Sequence, residues 1–191
     1  MKIYTKTGDE GKSSLFNGER RGKTDPFFAA LGDVDELNAN VGLAREHCLD
    51  LKDETARKTL TSQLSSIQSR LLDVGSAVAT PLPTSSSTKI ARSHFSDEHA
   101  EELEGWIDEM DEELPTLTMF ILPSGGKAGA QLHVTRAVCR RTERTVVTLS
   151  DSVPPSVSKY MNRLSDYLFT AARLASHRGG YEEVTYKKAR D

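Results

Sequence analysis

The run RAVCRRTER, residues 136–144, places four arginines and one glutamate within nine residues. On a helix turning ~100° per residue, Arg136, Arg140 and Glu143 share one face. Arg144 stands at the margin of that face and Arg141 points elsewhere. Like charges four residues apart cost only ~0.2–0.5 kcal/mol on a solvated helix. One reading is therefore a basic outer face with Glu143 as its internal partner. The other is an anion site, since guanidinium groups grip phosphate oxygens two at a time. A second stretch favours the anion site. TGDEGKSS, residues 7–14, reads as a phosphate loop cut short, with two residues between Gly8 and Gly11 where the P-loop has four. A true P-loop follows a buried strand, and no Walker-B-like run ends in aspartate here, so a P-loop NTPase is excluded. The physics of the composition survives that exclusion. Glycines let backbone N–H groups turn toward an anion. Thr5, Thr7, Ser13 and Ser14 add hydroxyls, and Lys6, Lys12 and Lys23 add charge.

Other chemistries find little support. None of the five histidines has a glutamate three residues before it, as a di-iron bundle would need. No H-E-x-x-H or G-x-S-x-G motif is present, and no cysteine has a nucleophile's context. His133 reads as a helix-surface or core residue rather than a ligand.

These residues must be positioned by helices. Asp25-Pro26 makes an N-cap and first-turn pair for a helix over 26–47. Its stripe is Phe27, Leu31, Val34, Leu37 or Asn38, and Val41, and GDVDELN places Asp35, Glu36 and Asn38 among those apolar positions. Leu60, Leu64, Ile67, Leu71, Val74 and Val78 step by 4, 3, 4, 3, 4, a heptad seam that wants partner helices along its whole length. Residues 80–95 hold two prolines and a serine–threonine run and read as a mobile loop. A third helix follows Ser96 and stops at Pro115, with Leu103, Trp106, Ile107, Met110 and Leu114 on its apolar face. Pro123 and Gly125-Gly126 bend the chain into a fourth helix over 128–149, and Pro154-Pro155 opens a fifth over 156–177. On the fifth, Asn162 and Asp166 lie four apart, and Asp166 is expected to pair with an arginine of the fourth. The charged tail reads as frayed, and no sheet is convincing. The expectation is one all-α domain: a loop segment at 1–25, a helical bundle at 26–178 and a tail at 179–191.

Composition narrows the classes. The chain has 191 residues, 37% hydrophobic and 28% charged, with a net charge of −3. That size allows one domain with a real core, and that charge argues against a nucleic-acid binder. No stretch approaches the ~18 apolar residues of a membrane span. Cys48 and Cys139 lie far apart in no C-x-x-C pair, which argues against a disulfide scaffold or zinc site and for a reducing compartment.

KIYTKTGDEGKSS, GDVDELN, DVGSAVATP, FILPSGG, RAVCRRTER and YMNRLSDYLFTAAR follow one another across nearly the whole chain. In order and spacing this set resembles the ATP:cob(I)alamin adenosyltransferases of the PduO type. The resemblance implies a five-helix bundle, ferritin-like and up-down, assembled as a homotrimer with ATP held between subunits. Thr5, Lys6, Thr7, Gly8, Ser13, Ser14 and Lys23 match that family's nucleotide segment. Arg140, Arg141, Thr142, Glu143 and Arg144 match its arginine motif, and Asn162 matches a polar contact on the last helix. Arg136 and Asp35 match an intersubunit salt bridge, and Phe120 an aromatic beneath the corrin ring; Asp166 is read from its own position as a structural support. Lys12-Ser13 is the main departure, at a point where members vary.

The implied reaction uses no protein nucleophile. Cobalt in its Co(I) state attacks the 5′ carbon of ATP, adenosylcobalamin forms and triphosphate leaves. Lys6, Arg140 and Mg²⁺ carried with ATP would stabilise the departing charge; no side chain is expected to bind the metal itself. Phe120 would fill the lower axial face of the corrin, keeping water and the cofactor's own base off cobalt and easing its reduction. A reductase and a cobalamin-dependent mutase are the implied partners. FILPSGGK and AVCRRTER look closest to animal mitochondrial members, so a matrix enzyme with its leader removed is expected, with a bacterial cytoplasm as the alternative. The rival class is a non-catalytic helical module: a nucleotide-sensing trimer or a scaffold.

Overall fold

The computed structural model describes Tyr4 and residues 6–189. The described elements are a β-hairpin, β1 (Lys12–Ser14) and β2 (Arg20–Gly22), and six helices. These are α1 (Pro26–Leu49), α2 (Glu54–Val78), α3 (Ser87–Arg92), α4 (Glu98–Asp111), α5 (Gly126–Val147) and α6 (Pro155–Arg178).

The helix starts obey local chemistry. Asp25 caps α1 by accepting from the Phe27 amide at 3.0 Å, with proline in the first turn. Asp53 caps α2 through the Ala56 amide at 2.7 Å. Ser96 accepts from the Glu98 amide at 3.3 Å as α4 begins. The fourth long helix, α5, starts two residues earlier than the sequence suggests. Gly125 and Gly126 both hold positive φ, and a methyl group at Gly125 would stand 2.6 Å from the Ser176 Cβ. The helix can therefore begin directly against α6.

The long helices pack in the succession α2–α1–α5–α6–α4, with α2 also touching α6. The heptad seam of α2 is sealed from Leu60 to Val78. Tyr160, Leu164, Leu168, Ala171 and Ala175 of α6 are buried as their stripe implies. On α1 the buried stripe runs through Leu37; the half-buried Asn38 donates to the Gln68 carbonyl of α2 at 3.2 Å. The expected five-helix bundle is present.

Three local expectations fail. Residues 80–95 are not a featureless loop: they contain α3, whose Lys89 donates to the Asn17 carbonyl in the hairpin. The N-terminal segment forms antiparallel strands, Ser13 opposite Arg21 and Ser14 opposite Arg20, where no sheet was expected. Gly18, at φ 89°, and Asn17, which accepts from the Glu19 amide at 2.9 Å, make the turn between them. The tail is not frayed over its described residues. Leu122 N donates to Val184 O at 2.7 Å and Tyr186 N to Phe120 O at 2.8 Å, an antiparallel bridge centred on Ile121 and Thr185. Each failure has one cause: short segments were stabilised by partners distant in sequence.

Candidate functional site

The hairpin gathers the N-terminal candidates. The backbone turns at 6–11, where Lys6 adopts a left-handed φ of 59°. That conformation costs a non-glycine residue of order 1 kcal/mol and marks functional segments. Pairing of β1 with β2 brings Lys23 back to the turn: its amide donates to Gly11 O at 2.8 Å. Its ammonium lies 3.1 Å from where a Cβ on Gly8 would stand. The lysine thus lies close over the loop at Gly8. Arg20 donates to the Thr7 carbonyl at 3.0 Å. Lys6, Thr7, Gly8, Ser13, Ser14 and Lys23 are therefore gathered on the hairpin and its turn, with Ser13 and Ser14 on opposite faces of β1; Thr5 lies outside the described residues. The hairpin is fastened to the bundle by buried Leu15 and by Phe16 N donating to Ala79 O at 3.0 Å. Glu19 accepts from Thr84 and from Arg21, and the Arg21 guanidinium holds its carboxyl below the usual carboxylate range.

The arginine motif forms a second cluster on α5, between α1 and α6. Thr142 is buried and donates to the Asp33 carbonyl of α1 at 3.1 Å. Arg141 pairs with Glu36 of α1. On the other side, Asn162 of α6 donates to Glu143 at 3.0 Å. Arg140 and Arg144 are exposed between these contacts, and Arg144 donates to the Arg140 carbonyl at 3.1 Å. The neighbouring helices thus take up Arg141 and Glu143 and leave Arg140 and Arg144 exposed to solvent. The bonds of the first cluster run within the hairpin and to 79–89; those of the second run to α1 and α6.

Asp166 differs from expectation. It pairs with Arg163 of its own helix at 3.0 Å, not with an arginine of α5. Arg163 also holds Glu104 of α4 at 2.8 Å. Asp166 thus belongs to the α4-facing side of α6, half its side chain in water, where an i,i+3 partner is cheaper than one across a helix boundary.

Arg136 sits 5.9 Å over the Phe169 ring, and its buried Nε has no hydrogen-bond partner. His133 packs edge-on to the same ring, buried rather than ligating. Burial, then the Arg136 charge, lowers its pKa below the ordinary 6.5. Asp35 projects from α1 into solvent. Within one chain, then, neither member of the expected Asp35–Arg136 pair satisfies the other. The two thiols are inert by environment. Burial pushes Cys48 up to about 12 and Cys139 higher still.

Phe120 is 85% exposed. It lies on the ledge made by 120–122 and 184–186, beside a hollow lined by Leu117, Thr118 and Met119. Leu122, Val184 and Tyr186 are also exposed, so the ledge is an apolar surface held by backbone bonds. Sequence reasoning found Phe120 but missed the tail strand beside it; the alternation of Tyr181, Glu183 and Thr185 with Val184 and Tyr186 was the available signal. An exposed apolar surface of this kind marks a ligand or partner site.

Comparison with known proteins places this arrangement. The profile of the Cobalamin adenosyltransferase family matches residues 3–175. The human corrinoid adenosyltransferase MMAB is 49% identical over 189 residues, 98% of this chain and 74% of that protein. A Bacillus subtilis corrinoid adenosyltransferase is 38% identical over 191 residues, 99% of this chain and 94% of that one. Among solved structures, a variant of the PduO-type ATP:corrinoid adenosyltransferase from Lactobacillus reuteri, complexed with cobalamin and ATP, aligns with a TM-score of 0.86 at 34% identity, covering 98% of this chain and 100% of that chain. A family profile running from the hairpin into α6, with relatives aligned over 98% or more of this chain, leads to one conclusion: this chain belongs to the cobalamin adenosyltransferase family.

Proposed function

We propose that the protein transfers the 5′-deoxyadenosyl group of ATP to the cobalt of cob(I)alamin, giving adenosylcobalamin and triphosphate. The observation that carries this reading is the exposed Phe120 on its hydrogen-bonded ledge, in a chain whose hairpin and α5 both offer cations to a polyphosphate. The electron pair of Co(I) forms the bond to C5′, and the C5′–O bond breaks with its electrons passing to the triphosphate. The protein supplies position and charge. Lys6, Thr7, Gly8, Ser13, Ser14 and Lys23 cradle the phosphates through amides, hydroxyls and ammonium groups. Arg140 and Arg144 face the same chain of phosphates, and Arg140 with Lys6 stabilises the leaving charge. Arg141, Thr142 and Glu143 are set by their bonds to Glu36, Asp33 and Asn162. Phe120 covers the lower corrin face, so cobalt loses its axial ligand and accepts an electron more readily.

Among the described residues no three His, Cys, Asp or Glu side chains come together to hold a metal. In this reading Mg²⁺ arrives with ATP, held by phosphate oxygens and water. When bound with ATP, the ion would neutralise charge on the leaving group.

A homotrimer completes the reading. The half-buried Arg136 and the exposed Asp35 would form a salt bridge between protomers, and the ATP site would lie beside it. The reaction also calls for a reductase to deliver Co(I) and for a cobalamin-dependent mutase to use the product. A mitochondrial matrix setting suits a eukaryotic source and the cytoplasm a bacterial one. No described helix is long and apolar enough to cross a membrane.

The test is to mix the protein with ATP, Mg²⁺ and chemically reduced cobalamin. The spectrum of light-sensitive adenosylcobalamin is expected; ATP binding without it would favour a nucleotide-sensing module.

A further inference from the structure

We propose that Arg173 and Glu183 form a clasp that positions the Phe120 ledge, a pair acting on the corrin side of the reaction without touching substrate. This rests on reading Phe120 as the corrin-facing residue. Arg173 lies on the side of α6 that carries Phe169 and Thr170, opposite the stripe of Leu164, Leu168 and Ala171, and is only 6% exposed. A buried guanidinium is costly unless its donors are met. Here Nε donates to Glu183 Oε1 at 2.6 Å, and Nη2 donates to Pro115 O at 2.7 Å and reaches Glu183 Oε2 at 3.5 Å.

Those partners lie at the roots of the two strands of the ledge. Pro115 opens the segment that carries Phe120, and Glu183 stands one residue before Val184, where pairing with Leu122 begins. One side chain therefore ties both strands to the bundle. Among the described residues, two backbone bonds, Leu122 N to Val184 O and Tyr186 N to Phe120 O, join the two segments. A two-stranded pair of this size is marginal in water without further support. Tyr181 adds a second fastening: its ring occupies the space a side chain at Gly126 would fill, and its amide donates to Ser176 O at 3.0 Å. The bundle core does not include these tail residues, so the clasp can fail while the bundle stands. What depends on it is the direction in which an 85%-exposed Phe120 is presented.

The test uses the full-length chain with Glu183→Ala and the milder Glu183→Gln, with Glu183→Asp as the conservative rescue and Phe120→Ala as the control. Amide hydrogen exchange is read at Leu122 and Tyr186, and KM is measured separately for cob(I)alamin and ATP. In Glu183→Ala, exchange at those two amides is expected to rise at least about tenfold while core amides of α1 and α2 hold. KM for cob(I)alamin is expected to rise about tenfold and KM for ATP to stay within about twofold. Glu183→Asp should recover most of both effects, and Glu183→Gln should fall between. Unchanged exchange in Glu183→Ala would overturn the clasp. Faster exchange with an unchanged corrin KM, or equal rises in both KM values, would overturn its positioning role. If Phe120→Ala leaves cob(I)alamin kinetics untouched, the reading of Phe120 falls, and exchange alone decides whether the pair holds the ledge.

Discussion

Asn162 on α6 donates a hydrogen bond of 3.0 Å to the carboxylate of Glu143 on α5, fixing one carboxylate at the edge of the arginine motif. The bond joins two sites that the sequence separates by 19 residues. It also keeps Glu143 from folding back on Arg140, its i−3 neighbour. Asn162→Ala is expected to raise KM for ATP several-fold. The double variant with Glu143→Gln should fall short of additivity by about 1 kcal/mol, the scale of one such bond. Strict additivity in ATP titrations would separate the two residues.

Arg140 is exposed and its side chain supports no packing, so its loss should leave the fold intact. Arg140→Ala should lower kcat by about 10²–10³, as for other removed charge stabilisers. Thermal melting should be unchanged. Normal turnover would take Arg140 out of the reaction.

Phe120→Ala removes the one large ring on the ledge that points fully into solvent. Assays that must first reduce Co(II) should suffer far more than ATP binding. An equal loss in both would count against a role at the lower corrin face.

Asp35→Asn and Arg136→Ala should each weaken the assembly or ATP affinity, and together do little more than either alone. Sedimentation and ATP titration of the four species check this.

The pH dependence of stability has a predictable sign at His133. Its pKa is lowered in the folded chain, by burial and then by Arg136, with Glu183 opposing. The unfolded chain therefore takes up the proton first. Stability is full above the ordinary value of 6.5 and is lost as pH falls below it, through the lower folded value. Urea unfolding between pH 8 and pH 5, compared with His133→Asn, should show a shallower acid-side loss in the variant. Identical slopes would clear His133 of the effect.

The helices and their buried faces were legible because periodicity is a local property. The stripes of α2 and α6 could be read directly, and the cap at Asp25 follows from residue type and position. The candidate residues were legible by composition: glycines, hydroxyls and lysines before the first helix, and arginines crowded on α5. Which guanidinium is engaged and which is free was not legible. It depends on α5 lying between α1 and α6, so that Glu36 takes Arg141 and Asn162 takes Glu143. The same holds for Asp166, whose partner was decided by which side of α6 meets α4.

The sequence by itself determined an all-α chain with a cationic, glycine-bearing N-terminus, because spacing and composition need no distant partner to be expressed. Only the tertiary structure decided that this N-terminus is a hairpin held by residues 79–89, and that the tail forms a β-bridge beside Phe120. Strand pairs three residues long have no stability of their own in water. They exist where a bundle surface, a buried arginine or a short helix supplies the missing free energy, and those contacts join residues that lie far apart in sequence.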